Sequence, residues 1–152
     1  MIDCLMNTFL FEDLEYTDLE RITQFCSQLE LDDGDILISE NELDYDLYVL
    51  CEGYVEIIST SARNLSGEVV ISKQDKNVFS EISWLTNCKR TATLRCRGDV
   101  VAIRIDGDKL MAYLDSHSQA GFTVMRRAAR LLGERLEDTN NLLKQILWNT
   151  NI

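Results

Sequence analysis

Proline is absent from this 152-residue chain, and histidine occurs once, as His117. Without proline there is no stiff proline-rich linker. One histidine cannot build the usual histidine metal centre, and it weakens any case for triad chemistry. Basic residues are also scarce: 15 Lys and Arg stand against 26 Asp and Glu, a formal charge of -11. That balance argues against nucleic acid as a partner, because phosphate contacts need a basic footprint. The only concentrated basic stretches, Lys89 to Arg97 and Arg126 to Arg135, are short and suit one small anion better than a duplex. No apolar run approaches the roughly 20 residues of a membrane span. The N-terminal "MIDCLMNTFLFEDLEY" is acidic where a signal peptide would be basic. Cys4, Cys26, Cys51, Cys88 and Cys96 are odd in number and show no CxxC spacing. They read as mostly small buried apolar groups in a reducing, cytoplasmic setting.

What the chain does have is enough apolar material for a core: 45% hydrophobic residues, with 8% aromatics. The length suggests one domain spanning residues 1–152. "YTDLERITQFCSQ" reads as a helix, with Thr17 and Glu20 as a capping box and Leu19, Ile22, Phe25 and Cys26 on one face. The period then changes. "DILIS", "DLYVLCE", "YVEIIS", "EVVIS", "NVFS", "TATLRC" and "VVAIRI" are short, β-branched and often alternating. Gly, Asn and Asp punctuate them at Asp33-Gly34, Asn41, Asp44, Gly53, Gly67, Asp75 and Gly98. Short strands at this spacing predict an antiparallel barrel or sandwich. Inside the β region, "EISWLTN" (81–87) reads as one or two helical turns.

The chain ends in two helices. "DGDKLMAYLDS" is the first, with Asp106 or Asp108 as its cap. The second runs from about Ser118 to Asn149. Met125, Ala129, Leu132, Leu136, Thr139, Leu143 and Ile146 form a heptad seam along it. A second apolar row, Val124, Ala128, Leu131, Leu142 and Leu147, is placed to face the chain's own barrel. Two rows need two partners, which predicts a homodimer through this helix. The alternative is one wide face packed within the monomer.

The order of helix, β-roll with a helical insert, and two final helices resembles the cyclic-nucleotide-binding domain. "LISENELDYDLYVLCEGYVEI" looks like the family's first signature, through Leu47-Tyr48-Val49-Leu50 and Gly53. "FSEISWLTNCKRTATLRC" looks like its phosphate-binding cassette (79–96), through Phe79, Glu81, Ser83, Arg90, Thr91 and Ala92. The resemblance implies an α+β, mainly β fold. This would be an antiparallel eight-strand β-roll or jelly-roll barrel with an N-terminal helix, a short cassette helix and a long C-terminal dimerisation helix. Residues 9–105 would hold the first helix and the roll, and 106–149 the last helices. It implies a non-enzymatic regulatory module with no cofactor, whose ligand is cAMP or cGMP.

The chemistry fits these residue types. A helix N-terminus after Phe79 offers free N–H groups to a phosphate, and Arg90 can meet its single charge with a bidentate pair. By resemblance Glu81 takes the ribose hydroxyl, Ser83 and Thr91 add hydroxyl contacts, and Ser80, Ile82 and Ala92 complete the cassette. Val70 would lie against the base, and Thr139 and Asn140 would cover it. The plainer alternative is that Glu81 caps the helix and Arg90 pairs with it or with a surface acid.

Four positions where the family has Gly read Asn41, Asp44, Lys76 and Ser80 here. Ser80 matters most, because a Cβ there either crowds the phosphate or brings a hydroxyl to it. Trp84, where an aliphatic is usual, reads as packing. Gly133, costly in mid-helix, is a candidate weak point for a ligand-driven shift of the last helices. The sequence stops at Ile152, a few residues past that helix, so it holds no helix-turn-helix reader of DNA. The expectation is a sensor acting on an effector protein in trans, or a piece of something longer.

Overall fold

The computed structural model describes residues 1–60, 68–71 and 77–150. Two short helices open the chain, α1 (Ile2–Met6) and α2 (Tyr16–Thr23). α1 was not anticipated from the sequence, yet its Leu5 is fully buried. α2 buries Leu19 and Ile22 as expected, but stops before Phe25 and Cys26, and Cys26 opens strand β1 (Cys26–Leu31). The expected capping box is not formed. Glu15 is the N-cap and makes no side-chain cap bond, so Thr17 sits inside the first turn.

The strands that follow are β2 (Ile36–Ile38), β3 (Leu47–Thr60), β4 (Glu68–Ile71), β5 (Val78–Phe79) and β6 (Thr93–Ile105). Every pairing among the described residues is antiparallel, in the order β1-β6-β3-β4, with β2 on β6 and β5 on β3. β3 and β6 each fuse two strands that the sequence shows as separate. Gly53 (φ +91°) and Gly98 (φ +76°) bend them without breaking them, and the β3–β6 register slips between Leu50 and Tyr54. Left-handed backbone at a bulge is where glycine is cheapest. Two of the six described strands therefore fold over and serve as two each, which yields the β-roll.

Bending gives β3 two buried faces, which explains the unbroken apolar run Leu47 to Leu50. Leu47 and Val49 pack under the helices with Ile103 and Ile105 of β6. Tyr48 and Leu50 point into the roll with Val100 and Ala102.

The remaining helices are α3 (Glu81–Thr86), α4 (Gly107–Ser116) and α5 (Ser118–Thr150). Asp106, not Asp108, caps α4: its carboxylate accepts from the Lys109 N–H at 3.0 Å. The first half of α5 buries Ala120, Gly121, Val124, Arg127, Ala128 and Leu131. Arg127 straps residues 9–13 onto it, donating to the Phe9 carbonyl and pairing with Glu12 and Asp13. The expected second row is thus realised only in part, because Leu142 (57% exposed) and Leu147 (52% exposed) remain more than half exposed. No helix among the described residues is long and apolar enough to cross a membrane.

The cysteine reading needs one correction. Cys4 and Cys51 form a disulfide that ties α1 to β3, while Cys26, Cys88 and Cys96 are free. Burial pushes the Cys26 thiol up to about 12, which leaves it protonated and unreactive.

Candidate functional site

The cassette is built around a left-handed residue. Ser80 has φ +72° and is the N-cap of α3, although its side chain makes no cap bond. A non-glycine residue in this region costs about 1–2 kcal/mol, so the surroundings impose the conformation. They include Phe79, paired with Tyr48 across β5 and β3, and the Trp84 N–H, which donates to the Ser80 carbonyl at 3.1 Å. Asn41 (φ +71°) is also left-handed, as expected for a residue in place of glycine, but Asp44 is not. Lys76 lies outside the described residues.

α3 closes on a ring of internal bonds. The Ser83 hydroxyl donates to the Lys89 carbonyl at 3.3 Å, and Asn87 ends the helix in left-handed geometry. Arg90 follows, its backbone gripped on both sides: its N–H donates to Glu42 and its carbonyl accepts from Asn41. Trp84 does more than pack. Its indole N–H donates to the Gly107 carbonyl at 3.0 Å, linking α3 to the start of α4.

The Arg90 side chain is among the most deeply buried in the molecule, at 2% exposure. Its Nη2 donates to the Asp46 carbonyl at 2.8 Å and lies 3.0 Å from the Asp44 carboxylate. The other face is unmatched: Nε and Nη1 are buried without a hydrogen-bond partner. Each buried donor left unmade costs about 1–3 kcal/mol. Asp46 also accepts from the Gly107 N–H at 2.9 Å and from Arg104 Nε at 2.6 Å. One residue therefore joins Arg90 to the N-terminus of α4. Burial alone would raise the Asp44 carboxyl. The Asp46 N–H and the charges of Arg90 and Arg104 together outweigh it and hold the group below its ordinary value. Tyr48, whose ring faces Arg90 at 5.4 Å, is pushed up to about 12 by burial and then by the Asp44 charge.

Beside this network lies a cavity of about 700 Å³ between the roll, the cassette and α5. That is within the usual range for small-ligand sites. Ser80, Glu81, Ile82, Thr91 and Ala92 line its cassette wall, Ile57, Phe79 and Leu94 its floor, and Arg135, Asp138, Thr139 and Leu142 its α5 wall. Glu81 is 2% exposed; one oxygen pairs with Arg135, and Oε2 is buried without a partner. Arg135 also donates to the Val78 carbonyl at 3.2 Å, so α5 is latched to both the cassette and β5.

Most of the residues singled out in the sequence converge here, but not all. Ser80, Glu81, Ile82, Thr91, Ala92 and Thr139 line one cavity. Arg90 and Ser83 are not among the lining residues: the Ser83 hydroxyl and Arg90 Nη2 are committed to internal partners, while Arg90 Nε and Nη1 are not. Asn140 is exposed and outside the lining, where Asp138 stands instead. Val70 lies opposite Ile58 in the β3–β4 ladder. Arg135, Asp138 and Asp46 were missed. The basic stretch from Arg126 to Arg135 was a visible hint of Arg135. Asp46 carries no sequence signal: its carbonyl holds Arg90 and its carboxylate holds Gly107 and Arg104, contacts that only the fold creates.

Comparison with known proteins agrees with this architecture. The cyclic nucleotide-binding domain family model matches residues 28–117. A cAMP-dependent protein kinase regulatory subunit from Mycosarcoma maydis is 30% identical over 95 residues, covering 62% of this chain and 18% of that protein. The chain thus spans less than a fifth of that relative's length. The N-terminal domain of a transcriptional regulator from Streptomyces coelicolor A3(2) superposes with a TM-score of 0.71 at 25% identity, covering 93% of this chain and 95% of that one. The regulatory domain of Toxoplasma gondii PKA, co-crystallised with cAMP, gives a TM-score of 0.65 at 21% identity over 74% of this chain and 42% of that one. With the β-roll, the cassette and the long final helix all in place, the chain belongs to the cyclic nucleotide-binding domain family.

Proposed function

We propose that this chain is a regulatory binding module, not an enzyme, and that it takes a 3′,5′-cyclic nucleotide in the cavity beneath α5. The observation that carries the reading is the set of buried polar atoms left unmatched in the cassette: Nε and Nη1 of Arg90 and Oε2 of Glu81. A guanidinium with both Nε and Nη1 unmatched suits a singly charged phosphodiester. A carboxylate oxygen suits a ribose hydroxyl. The relative from Mycosarcoma maydis is a cAMP-dependent kinase subunit, which favours cAMP, with cGMP the competitor through Thr91.

Ligand would act by competition. Phosphate entering the cassette draws Arg90 from Asp44, and a ribose hydroxyl on Glu81 displaces Arg135. The first change is felt at Asp46 and so at the start of α4, and the second loosens α5. These shifts favour one of two arrangements of the last helices. The exposed seam of Leu136, Leu143 and Ile146 supports a homodimer through α5, with the signal passed to an effector protein in trans.

A second reading keeps the fold and silences the pocket. It is favoured by Arg90 being engaged by Asp44, and by a serine Cβ where the backbone approaches the cavity. Calorimetry separates the two. Heat of binding with cAMP or cGMP at sub-millimolar ligand is the expected outcome; no heat with either nucleotide at millimolar concentration, in a folded sample, would support the silent module.

A further inference from the structure

The groove between α4 and α5, none of whose lining residues belongs to the cassette or the roll, is not used by the reading above. It encloses about 580 Å³. Its floor is set by a close helix crossing: a Cβ added at Gly121 would lie 2.4 Å from the Leu114 carbonyl, so only glycine lets the two helices approach there. Leu114 is buried beneath, Met111 and Met125 are half-buried on the two walls, and the Phe122 ring stands 68% exposed at the edge. An aromatic and two methionines lining a half-open trough make an adaptable apolar surface. The only charges among the lining residues are two exposed carboxylates, Asp108 and Asp115. They lie seven residues apart on α4, two helical turns, or roughly 10 Å.

We propose that this groove is the docking site for an amphipathic basic helix of a partner protein, with an apolar anchor beside Phe122 and Met111 and two Lys or Arg residues, seven apart, on Asp108 and Asp115. The complementarity of charge decides the occupant. The groove offers carboxylates and no cation, on a chain of net charge -11, so it selects a basic helix and repels a second copy's Asp108 and Asp115. The placement also gives the partner something to read. One wall is α4 and the other α5, the two helices that ligand would move, so a helix seated between them senses their separation.

The test uses a fluorescein-labelled 18-residue Leu/Lys model peptide of amphipathic helical pattern, titrated with the whole chain and followed by anisotropy. Binding at roughly tens of micromolar in low salt is expected, with none for the Leu/Glu counterpart. Asp108→Lys with Asp115→Lys should weaken binding at least tenfold. Glu30→Lys with Asp99→Lys, the same charge change on exposed strand residues outside the groove, should leave it within about twofold. Circular dichroism verifies that each variant is folded. Equal losses in the two double variants would reduce the effect to net charge and overturn the proposal, as would no binding by the parent. A change in the mass of the free protein on altering Asp108 and Asp115 would also overturn it, assigning the groove to a second copy.

Discussion

The two halves of α5 are chemically alike and structurally opposite. Between Ala120 and Leu131, Ala120, Val124, Ala128 and Leu131 are buried against the chain's own core, while Phe122 stands exposed. From Leu136 onward Leu136, Leu142, Leu143, Ile146, Leu147 and Trp148 are all more than half exposed. The heptad period runs through both halves unchanged, so periodicity identifies an apolar face without saying what covers it. The cavity lies where the halves meet. Arg135 and Thr139 border it, and Arg135 is the residue that latches the helix onto Glu81. One half of the helix is anchored, and beyond the Arg135 latch the other stands exposed.

Breaking the site side of this contrast should have the largest effect. Arg90→Ala should weaken nucleotide binding at least tenfold in calorimetry, on the scale of a lost charge-assisted pair. It should also lower the melting temperature, because Asp44 is left without its buried cation. Breaking the distal half should touch assembly instead. Leu143→Glu with Ile146→Glu should convert a dimer to a monomer in light scattering, with the circular dichroism of the roll unchanged; a wild-type chain that is already monomeric would refute the dimer.

Acid should separate the halves more gently. The folded Asp44 carboxyl is held below its ordinary value. Its contribution to stability is therefore fully present above about pH 4 and lost as pH falls through the lower folded value. Asp44→Asn should flatten that part of the stability curve measured by urea unfolding. The smallest effect is at Ser80. Ser80→Gly should relieve left-handed strain and raise stability by about 0.5–1 kcal/mol after glycine's own entropic cost. A gain in nucleotide affinity in the same variant would show that the serine crowds the ligand, and a loss that its hydroxyl helps to hold it.

Much of the fold was legible in the sequence because the local signals and the global structure agree. β-branched runs became strands, Asp106 capped α4, and "EISWLTN" became α3. The failures have common causes. "QFCSQ" continues the helical apolar spacing of α2, but from Cys26 onward the chain is drawn into the sheet by pairing with β6, and such non-local pairing leaves no mark on a short window. The fusion of strands across Gly53 and Gly98 was hidden because glycine ends a strand as readily as it bends one. At the site, the residue types were visible and their partners were not. Glu81 and Arg90 were both found from the cassette, yet their engagement with Arg135 and Asp44 arises from tertiary placement alone. The Cys4–Cys51 bond belongs to the same class, since five cysteines do not declare their pairing.

The most direct test of the account is to watch the unmatched face of Arg90 itself. In a ¹⁵N-labelled sample titrated with cAMP or cGMP, the arginine Nε–H resonance that is lost in Arg90→Lys should shift saturably, in step with the heat of binding. Binding heat with that resonance unmoved, or no response to either nucleotide at millimolar concentration, would contradict the claim that Arg90 holds the phosphate.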